Sequence, residues 1–277
     1  PPLLLPCVVK RRDCLSCGGG GMTERVAPLA YTLLIPMYNE EAILPAVLPR
    51  VSRCMREAFP AGSDEILFVD DGSSDRSAAL VEEYRAESDP AVRLLSYQPN
   101  RGKGCAVRRG MLDARGETIV FTDCDLAYGT DAVIEMFTFL GVHPEFGAVI
   151  GSRALHPDGY RGYSRARLLV SRVYRGILRL FFGLRLSDSQ GGLKGFRRAA
   201  AQEIFSRCEV DRFAFDFEAI LVGEARGVLF GEMPACVVEN RPHGKVHVVR
   251  DGVRMMRDLF RIRRRVRRMR RKTGAEA

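Results

Sequence analysis

The sequence predicts an α/β protein: a doubly wound, mostly parallel central sheet followed by one basic amphipathic helix. Three observations predict it. Short apolar runs alternate with amphipathic stretches from Tyr31 to Gly151, the pattern of strands joined by crossover helices. Several of those runs end in acidic or glycine-containing segments, which places them on loops after strand carboxyl ends, where open α/β sheets bind ligands. Basic charge is gathered at the C-terminal end instead of being spread over the chain.

Taken in order, Tyr31 to Pro36 is the first strand. Glu40 to Phe59 has helical spacing through Ile43, Val47, Val51 and Met55. Glu65 to Val69 is a strand, Ser77 to Ala86 a helix, Val92 to Ser96 a strand and Gly104 to Ala114 a helix. Glu117 to Thr122 is a strand, Asp131 to Leu140 a helix and Ala148 to Gly151 a strand. The second half is less regular. Ser164 to Phe182 is a helix rich in Arg and large apolar residues, Ser187 to Phe196 a Gly-rich loop, and Phe213 to Ala225 a helix. Gly227 to Glu239 is a strand region, and Val248 to about Lys272 a long basic helix. Residues 1–28 read as a disordered leader or upstream extension, 29–247 as the folded domain, and 248–277 as the basic helix and tail.

Composition narrows the class. Apolar residues make up 46% and charged residues 28% of the 277, an ordinary globular balance. No uninterrupted apolar run is long enough to span a bilayer. The net charge is +9, yet Arg250 to Lys272 holds 12 basic residues against Asp251 and Asp258, while residues 1–249 balance at 31 of each sign. Such an end suits an anionic surface. Nucleic acid is the poorer fit: it leaves the acidic motifs unexplained, and no aromatic-rich basic face is present to stack bases. The eight cysteines read as reduced thiols, since the Cys14-x-x-Cys17 pair has no second pair at zinc spacing.

The motifs carry the chemistry. Pro36-Met37-Tyr38-Asn39-Glu40 closes the first strand and Asp70-Asp71-Gly72-Ser73-Ser74-Asp75 the second. A carboxylate at a strand end accepts base or ribose donors, and Tyr38 can cover a base, whereas Asp-Asp-Gly-Ser is also an ordinary turn. Asp123-Cys124-Asp125 ends the fourth strand. Asp123 and Asp125 can hold Mg²⁺ or Mn²⁺, which accepts phosphate oxygens as its further ligands. Asn100 to Gly104 opens a helix with two glycines and Lys103, a setting that suits phosphate. Neither the Walker pattern nor Gly-x-Gly-x-x-Gly is present.

In this order, with Gly151-Ser152-Arg153, these motifs resemble the family 2 glycosyltransferases of the GT-A fold. Within them they are similar to the polyprenyl-phosphate group, the dolichyl-phosphate β-glucosyltransferases and mannose synthases. Asp188-Ser189-Gln190-Gly191-Gly192-Leu193-Lys194, Phe213 to Glu218 and Asp258 to Arg263 resemble the glucosyl enzymes. The resemblance implies that Pro36, Tyr38, Asn39, Glu40, Asp70, Asp71, Lys103, Asp123 and Cys124 bind the nucleotide-sugar. It implies that Arg153, Arg167, Ser171, Gln190 and Lys194 bind substrate, Arg167 and Ser171 through the lipid phosphate. Two departures leave donor choice open: Ala127 stands where the mannose synthases have Gln, and Gly191 replaces the glucosyl enzymes' Cys.

The implied reaction is inverting transfer of a hexose to a polyprenyl or dolichyl phosphate. UDP-glucose is the favoured donor; GDP-mannose, or a glycan hydroxyl as acceptor, is the alternative. A phosphate acceptor is already ionised near pH 7 and needs little base, whereas a hydroxyl needs one. Asp216 stands where sugar-accepting relatives keep that base, and equally where an acid complements a helix N-terminus. Asp188 either positions substrate or moves a proton. Val249, Val253, Met256 and Phe260 share one face of the last helix, with arginines on the others. Such a helix lies on an anionic membrane, so a peripheral protein on the cytoplasmic face is expected. The apolar stripe fades after Phe260, so the tail beyond it is expected to act by charge alone, and its removal to leave the site intact.

Overall fold

In the computed structural model, residues 29–160, 176, 186–212, 214–238 and 248–273 are described, with side chains at 257–269 of the final stretch. The predicted helix Ser164 to Phe182, apart from Gly176, lies outside them, as do Arg167, Ser171 and Phe213.

Seven strands form one sheet: β1 (Tyr31–Met37), β2 (Asp64–Asp70), β3 (Val92–Ser96), β4 (Thr118–Phe121), β5 (Ala148–Ser152), β6 (Lys194–Arg197) and β7 (Phe230–Pro234). Their order is β3-β2-β1-β4-β6-β5-β7. β1, β2, β3 and β4 are mutually parallel, as are β5 and β7; β6 runs antiparallel between β4 and β5. The helices are α1 (Leu44–Ala58), α2 (Ser77–Glu87), α3 (Lys103–Asp113), α4 (Gly129–Val142), α5 (Arg198–Phe205), α6 (Phe215–Ala225) and α7 (Val248–Thr273).

Strand periodicity sorts the core into two layers. Leu34, Leu67, Val69, Ile119, Phe121 and Ile150 face one side, where residues of α3, α5, α6 and α7 cover them. Leu33, Ile35, Ile66, Phe68, Val120 and Val149 face the other, under α1, α2 and α4.

Three expectations differ from this structure. The helix expected from Glu40 begins at Leu44; ahead of it Glu40 to Ile43 form a turn, with the Glu40 and Glu41 N–H groups on Ser77 Oγ and Asp75 Oδ2 and the Glu40 carbonyl accepting the N–H groups of Ile43 and Leu44. The loop expected over Ser187 to Phe196 ends in strand β6. At four residues, one of them glycine, it shows no alternation, and its strand character comes from the two neighbours that pair with it. The tail beyond Phe260 is not held away from the body: Leu259, Ile262 and Val266 are at most 4% exposed and belong to the core layer with α6.

Candidate functional site

The site lies at the carboxyl ends of β1, β2 and β4. There the loops after β1 and β2 are joined side by side. Asn39 takes φ 55°, a left-handed conformation that Asn tolerates better than most residues. Its N–H donates to Ser73 Oγ at 2.9 Å and its Oδ1 accepts the Ser74 N–H at 2.8 Å. Pro36 is buried within β1, and Tyr38 beyond it is 39% exposed. Asp70 is buried and accepts Ser73 N–H and Oγ on one oxygen and Ser96 Oγ on the other. Asp71 accepts Tyr97 Oη (2.7 Å), Asn100 Nδ2 (2.8 Å) and the N–H groups of Arg101 (2.8 Å) and Gly102 (2.7 Å). Two donors per oxygen fill the usual capacity of a carboxylate, so Asp71 fixes the path of the 97–102 loop.

That loop delivers Lys103 to Asp123 as an ion pair. The first turn of α3 is partly covered by the 210–212 backbone. Cys105 N–H is shared by Gly102 O and Asp211 O, and a Cβ on Gly104 would sit 2.5 Å from Val210 O. The glycines admit the 210–212 backbone. Asp211 also binds Arg101 (2.9 Å) and Arg108 (2.6 Å) through its carboxylate.

Because β6 is antiparallel, its first residue lies beside the last residue of β4: Lys194 pairs in register with Phe121. The buried Lys194 ammonium is 2.7 Å from Asp216 Oδ1 and donates to Gly191 O. Lys103 and Lys194 both stand over the Phe121 ring, 5.4 and 5.9 Å from its centroid. Two lysines and Asp123, Asp125 and Asp216 thus form one array. Burial pushes the Asp216 carboxyl up, against the pull of Lys194 and Lys103. Burial alone would lower Lys103, but Asp123, Asp216 and Asp125 outweigh it and hold the ammonium above its ordinary value.

Asp123 and Asp125 are partly exposed, whereas Cys124 is buried in the layer under α1 and α4. Its side chain therefore does not join the two carboxylates at the site. Asp125 Oδ1 accepts the Ala127 N–H at 3.1 Å. A Cβ at Gly192 would lie 2.5 Å from Asp123 Oδ2, so only glycine leaves that carboxylate its place. Among the described residues no group of three or more His, Cys, Asp or Glu is clustered as a metal cage. Two carboxylates are a donor set that fits Mg²⁺ or Mn²⁺ when phosphate oxygens and water complete the shell.

Next to this array, Arg153 grips Asp188 through Nε (2.6 Å), Nη2 (2.9 Å) and its backbone N–H (3.2 Å). Burial would raise the Asp188 carboxyl; the guanidinium outweighs it and holds the group below the usual carboxylate range. Gln190 is exposed on the same loop, its N–H 3.4 Å from Asp188 Oδ1. Glu232 of β7 anchors the loop by accepting the N–H and Oγ of Ser187 at 2.8 and 2.6 Å.

Residues 32–205 match the family model described as Glycosyl transferase family 2. The chain belongs to glycosyl transferase family 2. It is 33% identical over 205 residues to a dolichyl-phosphate beta-glucosyltransferase of Drosophila melanogaster, covering 71% of this chain and 63% of that one. It is 30% identical over 241 residues to the protein of the same name from Dictyostelium discoideum, covering 84% and 73%. The chain therefore spans about three fifths of the first relative's length. Glucosyl-3-phosphoglycerate synthase of Mycobacterium tuberculosis, solved with Mn²⁺, UDP-glucose and phosphoglyceric acid, shares the fold. Its TM-score is 0.59 at 18% identity, over 86% of this chain and 79% of that one.

The family's motif residues are thus brought to one end of the sheet, while Arg167 and Ser171 lie outside the described residues. Sequence reasoning missed Tyr97, Asp211, Glu218 and Glu232. Only Glu218 left a signal: an acid embedded in Phe-Asp-Phe-Glu-Ala-Ile-Leu must find buried partners.

Proposed function

We propose that this glycosyltransferase moves glucose from UDP-glucose to a polyprenyl or dolichyl phosphate, with inversion, at the cytoplasmic face of a membrane. The observation that carries the reading is the array of Lys103, Lys194, Asp123, Asp125 and Asp216 at the carboxyl end of β4. Tyr38 and the joined loops of Asn39 and Ser73 border the nucleotide, and Asp70 and Asp71 act by shaping those loops. Asp123 and Asp125 would hold Mg²⁺ or Mn²⁺, which neutralises charge on a leaving diphosphate when bound.

The acceptor phosphate oxygen attacks the anomeric carbon while the bond to the diphosphate breaks, and the nucleoside diphosphate leaves with the electron pair. No proton need be removed from an acceptor already ionised. Asp216 then serves to hold Lys194 and Lys103, and Asp188 to hold Arg153. Both lysines supply positive charge beside the transferring group. The Asp188 to Lys194 segment favours the glucosyl donor, as it follows the motif of that group of relatives.

α7 supports a peripheral location. One face is docked on the body, while Arg257, Phe260, Arg261, Arg264, Arg267 and Arg268 are exposed, Phe260 by 55%. Each basic residue near an anionic bilayer adds about 1 kcal/mol. No described helix is long and apolar enough to cross a membrane.

The test offers labelled UDP-glucose and GDP-mannose, each with Mn²⁺ and polyprenyl-phosphate-containing vesicles. Label from UDP-glucose is expected in the lipid fraction. Mannolipid as the main product, or label only on a glycan, overturns the assignment.

A further inference from the structure

A group of charges centred on a buried carboxylate, outside the site, lies between α6 and α7. Glu218 is fully buried, two residues beyond Asp216 on α6. One of its oxygens accepts the N–H groups of Glu209 (2.9 Å) and Val210 (2.8 Å); the other takes the Arg265 guanidinium of α7. Arg265 also donates to Arg207 O at 2.9 Å and pairs with Glu209 at 2.6 Å. The segment so gripped is the one that lies over the first turn of α3, where Asp211 O accepts the Cys105 N–H at 3.1 Å. Lys103 is the first residue of that turn, and its ammonium is on Asp123.

We propose that Arg265 is a positioning residue for the transfer site. Through Glu218 it sets the 209–212 segment, and that segment sets the first turn of α3 and the Lys103–Asp123 pair. The guanidinium suits this task because one planar fork satisfies three acceptors at once, which an ammonium on a flexible stem does not. Helix α7 is thereby tied to the site as well as to the core. The inference about α3 stands on geometry alone; its consequence for nucleotide rests on the proposed function.

Amide hydrogen exchange of the full chain, read by NMR, tests the link in Arg265→Lys. Exchange at Cys105 and Ala106 is expected to speed up at least tenfold. Leu33 and Leu67, in β1 and β2, should stay at wild-type rates, as should Gly102, whose N–H is held by Asp71. UDP affinity measured with Mn²⁺ should fall at least fivefold, with recovery by no increase in metal. If Cys105 keeps its wild-type rate while Glu209 and Val210 open, the route to α3 does not exist. If exchange rises equally in β1 and β2, Arg265 is only structural and the proposal fails. Should Arg265→Lys not fold, Glu218→Gln, which keeps an acceptor for Glu209 and Val210, takes its place with the same readouts and direction. Wild-type protein that binds no UDP with Mn²⁺ would overturn the proposed function and leave the exchange result as the measure of the coupling.

Discussion

Ending the chain after Phe260 removes Ile262, Arg265 and Val266 from the core. Ile262 and Val266 are buried, and each such aliphatic side chain contributes about 1.5–3 kcal/mol. Loss of Arg265 leaves Glu218, fully buried, without its cation, and breaking a buried pair in this way costs about 3–5 kcal/mol. Glu218 keeps the N–H groups of Glu209 and Val210, and burial already pushes its carboxyl up, so protonation limits the loss to the lower end. Even lower-end values together reach about 6 kcal/mol, against the roughly 5–15 kcal/mol that holds a typical protein folded. At about 2–4 °C per kcal/mol for a chain of this size, the melting temperature should fall by more than about 12 °C. Ending the chain after Met269 keeps all three residues and should cost no more than about 3 °C. Far-UV circular dichroism melts of both truncations measure this; the chain has no tryptophan, so tryptophan emission is no probe. A melting temperature unchanged by the Phe260 truncation would mean that α7 is not part of the core.

Asp125→Ala or EDTA is expected to reduce transfer by at least about a hundredfold, because a Lewis-acid metal supplies several kcal/mol; full activity in EDTA would remove the metal from the reaction. Gly192→Ala places a Cβ 2.5 Å from Asp123 Oδ2 and should weaken Mn²⁺ binding by about tenfold, read by titration calorimetry without substrate. Wild-type affinity would show that Asp123 moves freely. Asp188 is held below its unfolded value of about 3.9, chiefly by Arg153 against the effect of burial. Its contribution to stability is therefore complete above that value and is lost as pH falls through the folded one. Asp188→Asn should flatten the decline of stability below about pH 4 in urea unfolding, and an unchanged acid limb would contradict the pairing.

Much of this was legible in the residues themselves. Val92 to Ser96 is a strand as read, and β1, β2, β4 and β5 differ from their expected bounds by a residue or so at each end. Buried parallel strands are written as apolar runs between turn signals, and no distant contact is needed to recognise them. Three of the acidic and glycine motifs close those runs, so the end of the sheet at which they gather was readable as well. What the tertiary structure alone decided is which groups meet. Lys194 reaches Asp216 because a four-residue strand runs backwards between β4 and β5, and a segment with so little pattern of its own takes its direction from its neighbours. The Asn100 to Gly104 turn reads as a phosphate seat, and its glycines also admit the 210–212 backbone, more than a hundred residues on, which no local pattern announces. The basic helix reads as a membrane stripe ending at Phe260, because Ile262 and Val266 are spaced among arginines; docking on α6 picks them out. Local pattern encodes an element and the polarity of its faces, but the pairing of charges across long sequence separations is settled only when the core closes and each buried ion must find its partner.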